Sequence, residues 1–137
     1  MSYSSGYTGL LFEEEVLGRC RATARGYMKW SEALHFARAN QPAQKTPTMR
    51  QLERTVRELT GTAATFYTAV RTPLDLYHGV DGWFEFRGAV VTLDVTRNPH
   101  KDSGKAHLIV HEDDVGDLAA LAGRIARELG MQLSRRG

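Results

Sequence analysis

"GVDGWFEFRGAVVTLDVTRN", residues 79–98, is the stretch on which the reading of this chain turns. "GWFEF" and "AVVTLDVT" are strand-length runs of β-branched and aromatic residues, and the "RG" between them reads as a hairpin turn. Along the second arm a period of two sets Val91, Leu93 and Val95 on one face, and Val90, Thr92, Asp94 and Thr96 on the other. Asp81 opens the first arm, just ahead of Gly82. A carboxylate among so many apolar side chains is costly unless it is paired or binds a cation. Asp81 and Asp94 therefore either tie down turns or hold a metal. Twelve residues separate them, enough for one strand out and another back. A hairpin is thus a rigid way to bring two acids together.

Outward from the hairpin the periodicity changes. Toward the N-terminus, Thr8 to about Ala24 has a helical stripe of Leu10, Val16, Leu17 and Cys20, with Thr8 as N-cap. "KWSEALHFARANQ" sets Trp30, Ala33, Leu34 and Ala37 near one face of a second helix. "QPAQKTPT" breaks it, and "TPTMRQLERTVRELTG" restarts a helix with Thr48 and Gln51 as a capping box and Gly61 as its stop. "AATFYTAV" reads as a strand, and "RTPLDLYHG" as a loop. Beyond the hairpin come a turn, "NPHKDSG", a strand, "KAHLIVH", and an amphipathic helix, "DLAALAGRIARELG", stopped by Gly130. Residues 1–8 and 132–137 read as loose ends. The result is one α+β domain over residues 1–137: a mixed central sheet of about four strands flanked by helices.

Composition narrows the function classes. The 137 residues are 42% hydrophobic and 25% charged, with a formal net charge of +2, so bulk charge demands no polyanionic partner. Among the basic residues are 14 Arg and 4 Lys; arginine suits bidentate phosphate contact, which slightly favours nucleic acid. Cys20 is the lone cysteine, which excludes an internal disulfide and a cysteine-built zinc site. There is no run of 18 apolar residues and no leader-like N-terminus, so a soluble cytoplasmic protein with no membrane partner is expected. No Walker loop, Gly-x-Ser-x-Gly elbow or dinucleotide fingerprint is present, which leaves kinase, serine-hydrolase and dehydrogenase readings without support.

A third acid is available on the first helix. Helical neighbours lie three and four positions away, so Glu13 faces Gly9, Leu10, Val16 and Leu17. Glu14 is next in apolar character, and Glu15 can pair with Arg19 at the surface. Complementing the helix dipole is the plainer role for such acids. Packed beside the sheet, however, Glu13 would complete a site with Asp81 and Asp94. A hard cation such as Mg²⁺ wants one or two carboxylates and several waters, and shares phosphate oxygens.

Three blocks carry a resemblance: "GLLFEEEV", "GVDGWFEF" and "VVTLDVTRNPHKDSGK". Together they resemble the PD-(D/E)XK nuclease superfamily, whose restriction-endonuclease-like fold is a mixed sheet flanked by helices. Gly9, Phe12 and Glu13 match its Gly-x-x-aromatic-Glu helix pattern. Val80-Asp81 matches its apolar-Asp pair, with valine in place of proline, and Asp94-Val95-Thr96 its acid-x-lysine block. Thr96 stands where that lysine belongs, and Lys105 and Lys101 are the nearest substitutes. The family's usual helix between the third block and the next strand also has no counterpart. The resemblance implies a metal-dependent DNA endonuclease or related phosphodiesterase. Asp81, Asp94 and Glu13 would be metal ligands for Mg²⁺ (or Mn²⁺), and a lysine would stabilise charge near the scissile phosphate. DNA would be the partner, with a homodimer as one way to reach both strands.

Two other readings compete. His78, His100, His107 and His111 offer a zinc reading, but no pair has zinc-site spacing. The alternative of a degenerate nuclease fold that binds nucleic acid or protein without cleavage draws on Thr96. It draws too on Arg50, Arg54 and Arg57, a basic stripe whose plainer reading is a solvated helix face. Trp30 and Trp83 are read as core rather than as stacking platforms.

Overall fold

A computed structural model describes residues 7–136, with the side chains of residues 9–136. The hairpin is its centre. Arg87 and Gly88 take φ of 50° and 80°, the pair of left-handed residues that a two-residue turn needs to match strand twist. Strands β2 (Gly82–Phe86) and β3 (Ala89–Thr96) pair antiparallel across it, with Gly82 opposite Leu93 and Phe86 opposite Ala89. Strand β1 (Thr65–Thr68) lies antiparallel on the far side of β2, and β4 (Leu108–His111) runs parallel to β3. The order β1-β2-β3-β4 makes the expected mixed four-stranded sheet of an α+β protein.

The two faces bury different clusters. On one, Phe66, Phe84, Val91, Leu93, Val95 and Val110 pack with Val16 and Leu17 of α1 (Tyr7–Leu17). Leu52 and Val56 of α3 (Pro47–Thr60) and Leu121, Ile125 and Leu129 of α6 (Leu118–Arg136) complete this cluster. On the other face Trp83 meets Ala33 and Ala37 of α2 (Trp30–Ala39), Leu74 of α4 (Pro73–His78), Cys20 and Val80. The period of two along β3 holds: Val91, Leu93 and Val95 enter the first cluster, and buried Thr92 and Asp94 lie toward the second face. The Cys20 thiol donates to the Thr68 carbonyl at 3.3 Å, and burial pushes its pKa up to about 12, so it is a packing residue and not a nucleophile.

Several elements differ from the sequence expectation. Helix α1 stops at Leu17 and not near Ala24, because Gly18 turns left-handed (φ 76°); Thr8 falls inside the helix and its side chain lies outside the described residues. The cap of α3 is Thr46, whose Oγ1 accepts from the Met49 amide at 3.1 Å, and not Thr48; Pro47 at the first helical position selects that start. "RTPLDLYHG" is not a loop but contains α4, opened by Pro73 and closed by left-handed Gly79. Gly130 does not stop α6, which continues through Arg136, so the tail is helical up to there; a short helix, α5 (Glu112–Val115), precedes it. Trp83 is fully buried as expected, but Trp30 is 41% exposed and is not core.

The link between β3 and β4 sets up the site. Parallel neighbours are usually joined through a helix. Here residues 97–107 make the crossover without one, as a loop that returns over the sheet end beside Asp94. Gly82 marks the opposite constraint: a Cβ there would sit 2.9 Å from the Phe66 ring and 3.0 Å from the Tyr67 carbonyl oxygen. Gly82→Ala is therefore expected to destabilise the protein by about 1–3 kcal/mol, the usual range for overpacking, as a lower urea midpoint with unchanged slope.

Candidate functional site

Four acids converge where α1, α4 and the starts and ends of β2 and β3 meet. Asp81 is held by backbone on both sides: its amide donates to the Leu93 carbonyl at 2.8 Å, and its Oδ2 accepts from the Val95 amide at 2.8 Å. It thus ties the open end of the hairpin, away from the Arg87–Gly88 turn, and its side chain also meets those of Asp75 and Glu13. Carboxylate oxygens of Glu13, Asp75 and Asp81 all lie within 4.8 Å of one another. Asp94, on the neighbouring strand, is buried and meets Lys101 Nζ at 2.6 Å.

The electrostatics follow from this crowding. Burial, then the charge of Asp75, raises the Glu13 pKa to about 7. Burial also raises Asp75, against the pull of hydrogen bonds to Asp81 and the Arg71 amide. Asp81 is raised well above the usual carboxylate value, first by burial and then by a hydrogen bond and charge repulsion with Asp75. Lys101 is raised chiefly by its bond to Asp94, and Asp81 and Glu13 add to the effect. Like charges this close cannot all ionise without a counter-ion, so the cluster keeps protons at neutral pH.

Of the residues expected from sequence, Glu13 and Asp81 stand together, with Asp94 electrostatically linked to both through its charge. Glu14 is a neighbour with a different task, pairing with Arg71 Nε, and Glu15 is exposed. Lys101 reaches the acids. Lys105 turns away, its Nζ donating to the Tyr77 carbonyl at 3.3 Å while its stem lies over Gly79. Asp75 was not anticipated. Its signal was nonetheless present: Thr72-Pro73, an acid three residues past the cap, and Gly79 spell a short helix. Arg71, with φ of 75°, braces that helix. Its amide donates to Asp75 Oδ2 at 3.0 Å and its guanidinium pairs with Glu14.

The donor set fits a hard divalent cation. Magnesium–oxygen bonds of about 2.1 Å put octahedral ligands about 3–4 Å apart, so oxygens already within 4.8 Å need only small adjustment. All three are carboxylates, the donors that hard cations prefer over zinc. Among the described residues this is the one group of histidine, cysteine or acidic side chains close enough to share an ion; no histidine belongs to it. His78 bonds the Met28 carbonyl, and His107 Nδ1 accepts from the Thr92 amide. On the arginine stripe, Arg57 donates to the Ala64 carbonyl and lies 3.7 Å from Glu53. Among the described residues no helix is long and apolar enough to cross a membrane. Comparison with family models, curated proteins and solved structures gives no match.

A carboxyl whose folded pKa is raised contributes stability below its unfolded value, lost as pH rises through the folded one. The metal-free protein should therefore lose melting temperature between pH 5 and 8, through the Glu13 value of about 7. Asp81→Asn, which can keep the Val95 hydrogen bond, is expected to raise stability at pH 8 by about 0.5–2 kcal/mol, measured by urea titration in EDTA.

Proposed function

We propose that this chain is a divalent-metal-dependent phosphodiesterase of the PD-(D/E)XK kind acting on nucleic acid, with DNA as its expected substrate and Mg²⁺ (or Mn²⁺) as cofactor. The observation that carries this reading is the meeting of Glu13, Asp75 and Asp81 beside the ion pair that buried Asp94 makes with half-exposed Lys101. Structural acids are seldom kept in such a costly arrangement; a site that must hold a cation has reason to be so built.

In this reading Asp81, Glu13 and Asp75 hold the cation. When bound, it neutralises phosphate charge and lowers the pKa of a coordinated water. The protein's own residues do the rest. Asp94 orients Lys101, and the ammonium is kept charged for the phosphate oxygens. Lys101 would supply from the crossover loop the positive charge that Thr96 does not supply from the strand. Glu13, beside Asp75 and Asp81, would hold the attacking water in line. Arg71, through Asp75 and Glu14, fixes α4 against α1 and so keeps the acids in register.

Purified protein with Mg²⁺ or Mn²⁺ is expected to cut mixed DNA substrates and to be inert in EDTA. Asp94→Ala and Lys101→Ala should each lower the rate by about a hundredfold or more, the scale for losing one preorganised charge-stabilising group. If wild type shifts DNA on a gel yet cuts nothing, the chain is the non-cleaving binding module; if it does neither, both readings fail.

Cation binding should also be visible without any substrate. Its ligands must be deprotonated, so affinity should rise with pH through about 7, the Glu13 value. Millimolar Mg²⁺ is expected to raise the melting temperature more at pH 8 than at pH 6. In Asp81→Asn that stabilisation should be absent.

A further inference from the structure

The segment joining α1 to α2, "GRCRATARGYMKWS" (18–31), contains Arg19, Arg21, Arg25 and Lys29 and no acid. All four cations are exposed, and among the described residues none forms an ion pair. This basic segment runs into a cluster of aromatic rings open to solvent. Tyr27 is 65% exposed, Trp30 41% and Tyr77 40%. Tyr27 stands edge-on to Tyr77 at 5.6 Å and tilted to His78 at 5.7 Å; Trp30 meets His78 edge-on at 5.7 Å.

The rings are fixed by polar ties and not by burial. The Tyr77 hydroxyl donates to the Arg25 carbonyl, His78 Nε2 bonds the Met28 carbonyl at 2.8 Å, and Lys105 donates to the Tyr77 carbonyl. Single exposed aromatics are ordinary, but a contiguous group bordered by unpaired cations is a binding surface. Its place is informative too. Tyr77 and His78 follow Asp75 on the same helix, within one turn, or about 5 Å along the axis, close to the rise of one or two nucleotides. Lys105 belongs to the same crossover loop as Lys101.

We propose that Tyr27, Trp30, Tyr77 and His78, flanked by Arg25 and Lys105, form a stacking platform for unpaired bases, so that the acid site takes nucleic acid with a single-stranded segment beside the cleaved phosphate. The second half of this inference rests on the phosphodiesterase reading; the first does not. Positive charge tracks the backbone, and aromatic faces hold bases without regard to sequence, each stacked base tightening binding by about five- to a hundredfold. Duplex bases already occupy one another's faces and have none to offer.

The test is fluorescence anisotropy of the full chain in EDTA, where the acid site is silent, with labelled oligothymidylate, oligouridylate and duplex DNA. Strands of about 15 nucleotides lie within the usual site size. Wild type should bind at least one of the single strands about tenfold or more tighter than the duplex, and should quench tryptophan fluorescence, a signal lost in Trp30→Phe. Tyr27→Ala should weaken single-strand binding about tenfold and leave the melting temperature unchanged. Arg25→Ala and Lys105→Ala should each reduce the salt slope by about 0.7, one phosphate contact on a single strand. Preference between thymidylate and uridylate assigns the sugar and supports the platform either way. Duplex preference, or single-strand binding untouched by Tyr27→Ala, overturns it, as does no binding at all, which would leave the patch to a protein partner. Single-strand binding that needs Tyr27 without cleavage in Mg²⁺ keeps the platform and removes the phosphodiesterase; duplex cleavage without single-strand binding does the reverse.

Discussion

The burial of Asp81 governs this structure. The residue is 4% exposed, and its carboxyl is bonded on one oxygen to the Val95 amide and crowded by Glu13 and Asp75. The backbone bond fixes the end of β3 against the start of β2, so the acid cannot swing out to water without loosening the hairpin. Repulsion within the cluster is therefore borne by the fold as a standing cost, reduced by keeping protons and by the Asp94–Lys101 pair. Each neighbouring element answers to that constraint. Helix α1 brings one acid, α4 another, and the crossover loop the compensating cation.

The sheet gives the cluster its rigidity by separating duties between faces. The face carrying Val91, Leu93 and Val95 packs against α1, α3 and α6 and supplies most of the apolar burial. The opposite face has a smaller core around Trp83, and only at its end do Asp94 and the start of α4 adjoin the acids. A helix-free crossover leaves room there for the loop to approach. At Gly104 a Cβ would lie only 3.4 Å from Asp94 Oδ2, so the backbone passes close to the carboxylate, and Lys101 reaches it from three residues earlier.

Much of this was legible in the chain, and the failures have identifiable causes. The hairpin, its inward valines and the half-polar face ending in Asp94 follow from a period of two. Glu13, Glu14 and Glu15 were ranked by apolar neighbours, and they are half-buried, half-buried and exposed in that order. Asp75 was missed because "RTPLDLYHG" is too short to display a helical period, although its proline, acid and glycine punctuate a helix of one and a half turns. The choice between Lys101 and Lys105 was closed to sequence, since it depends on how the loop at residues 97–107 crosses the sheet. Trp30 was misplaced because helical spacing cannot tell an inward position from one at the helix's first residue, where the chain enters from solvent. Gly130 was misread as a stop because α6 is held by its packing on α3 and the sheet, which overrides one unfavourable residue.

Arg71 joins two parts of the chain that are far apart in sequence. Its left-handed backbone is tolerable because Glu14, far earlier in the sequence, clasps its side chain while Asp75 receives its amide. Until α1 docks, the Glu14 clasp is missing and Glu13 is away from Asp75 and Asp81. A partly folded or nascent chain thus lacks the assembled acid cluster, which exists only once α1, α4 and the hairpin have come together.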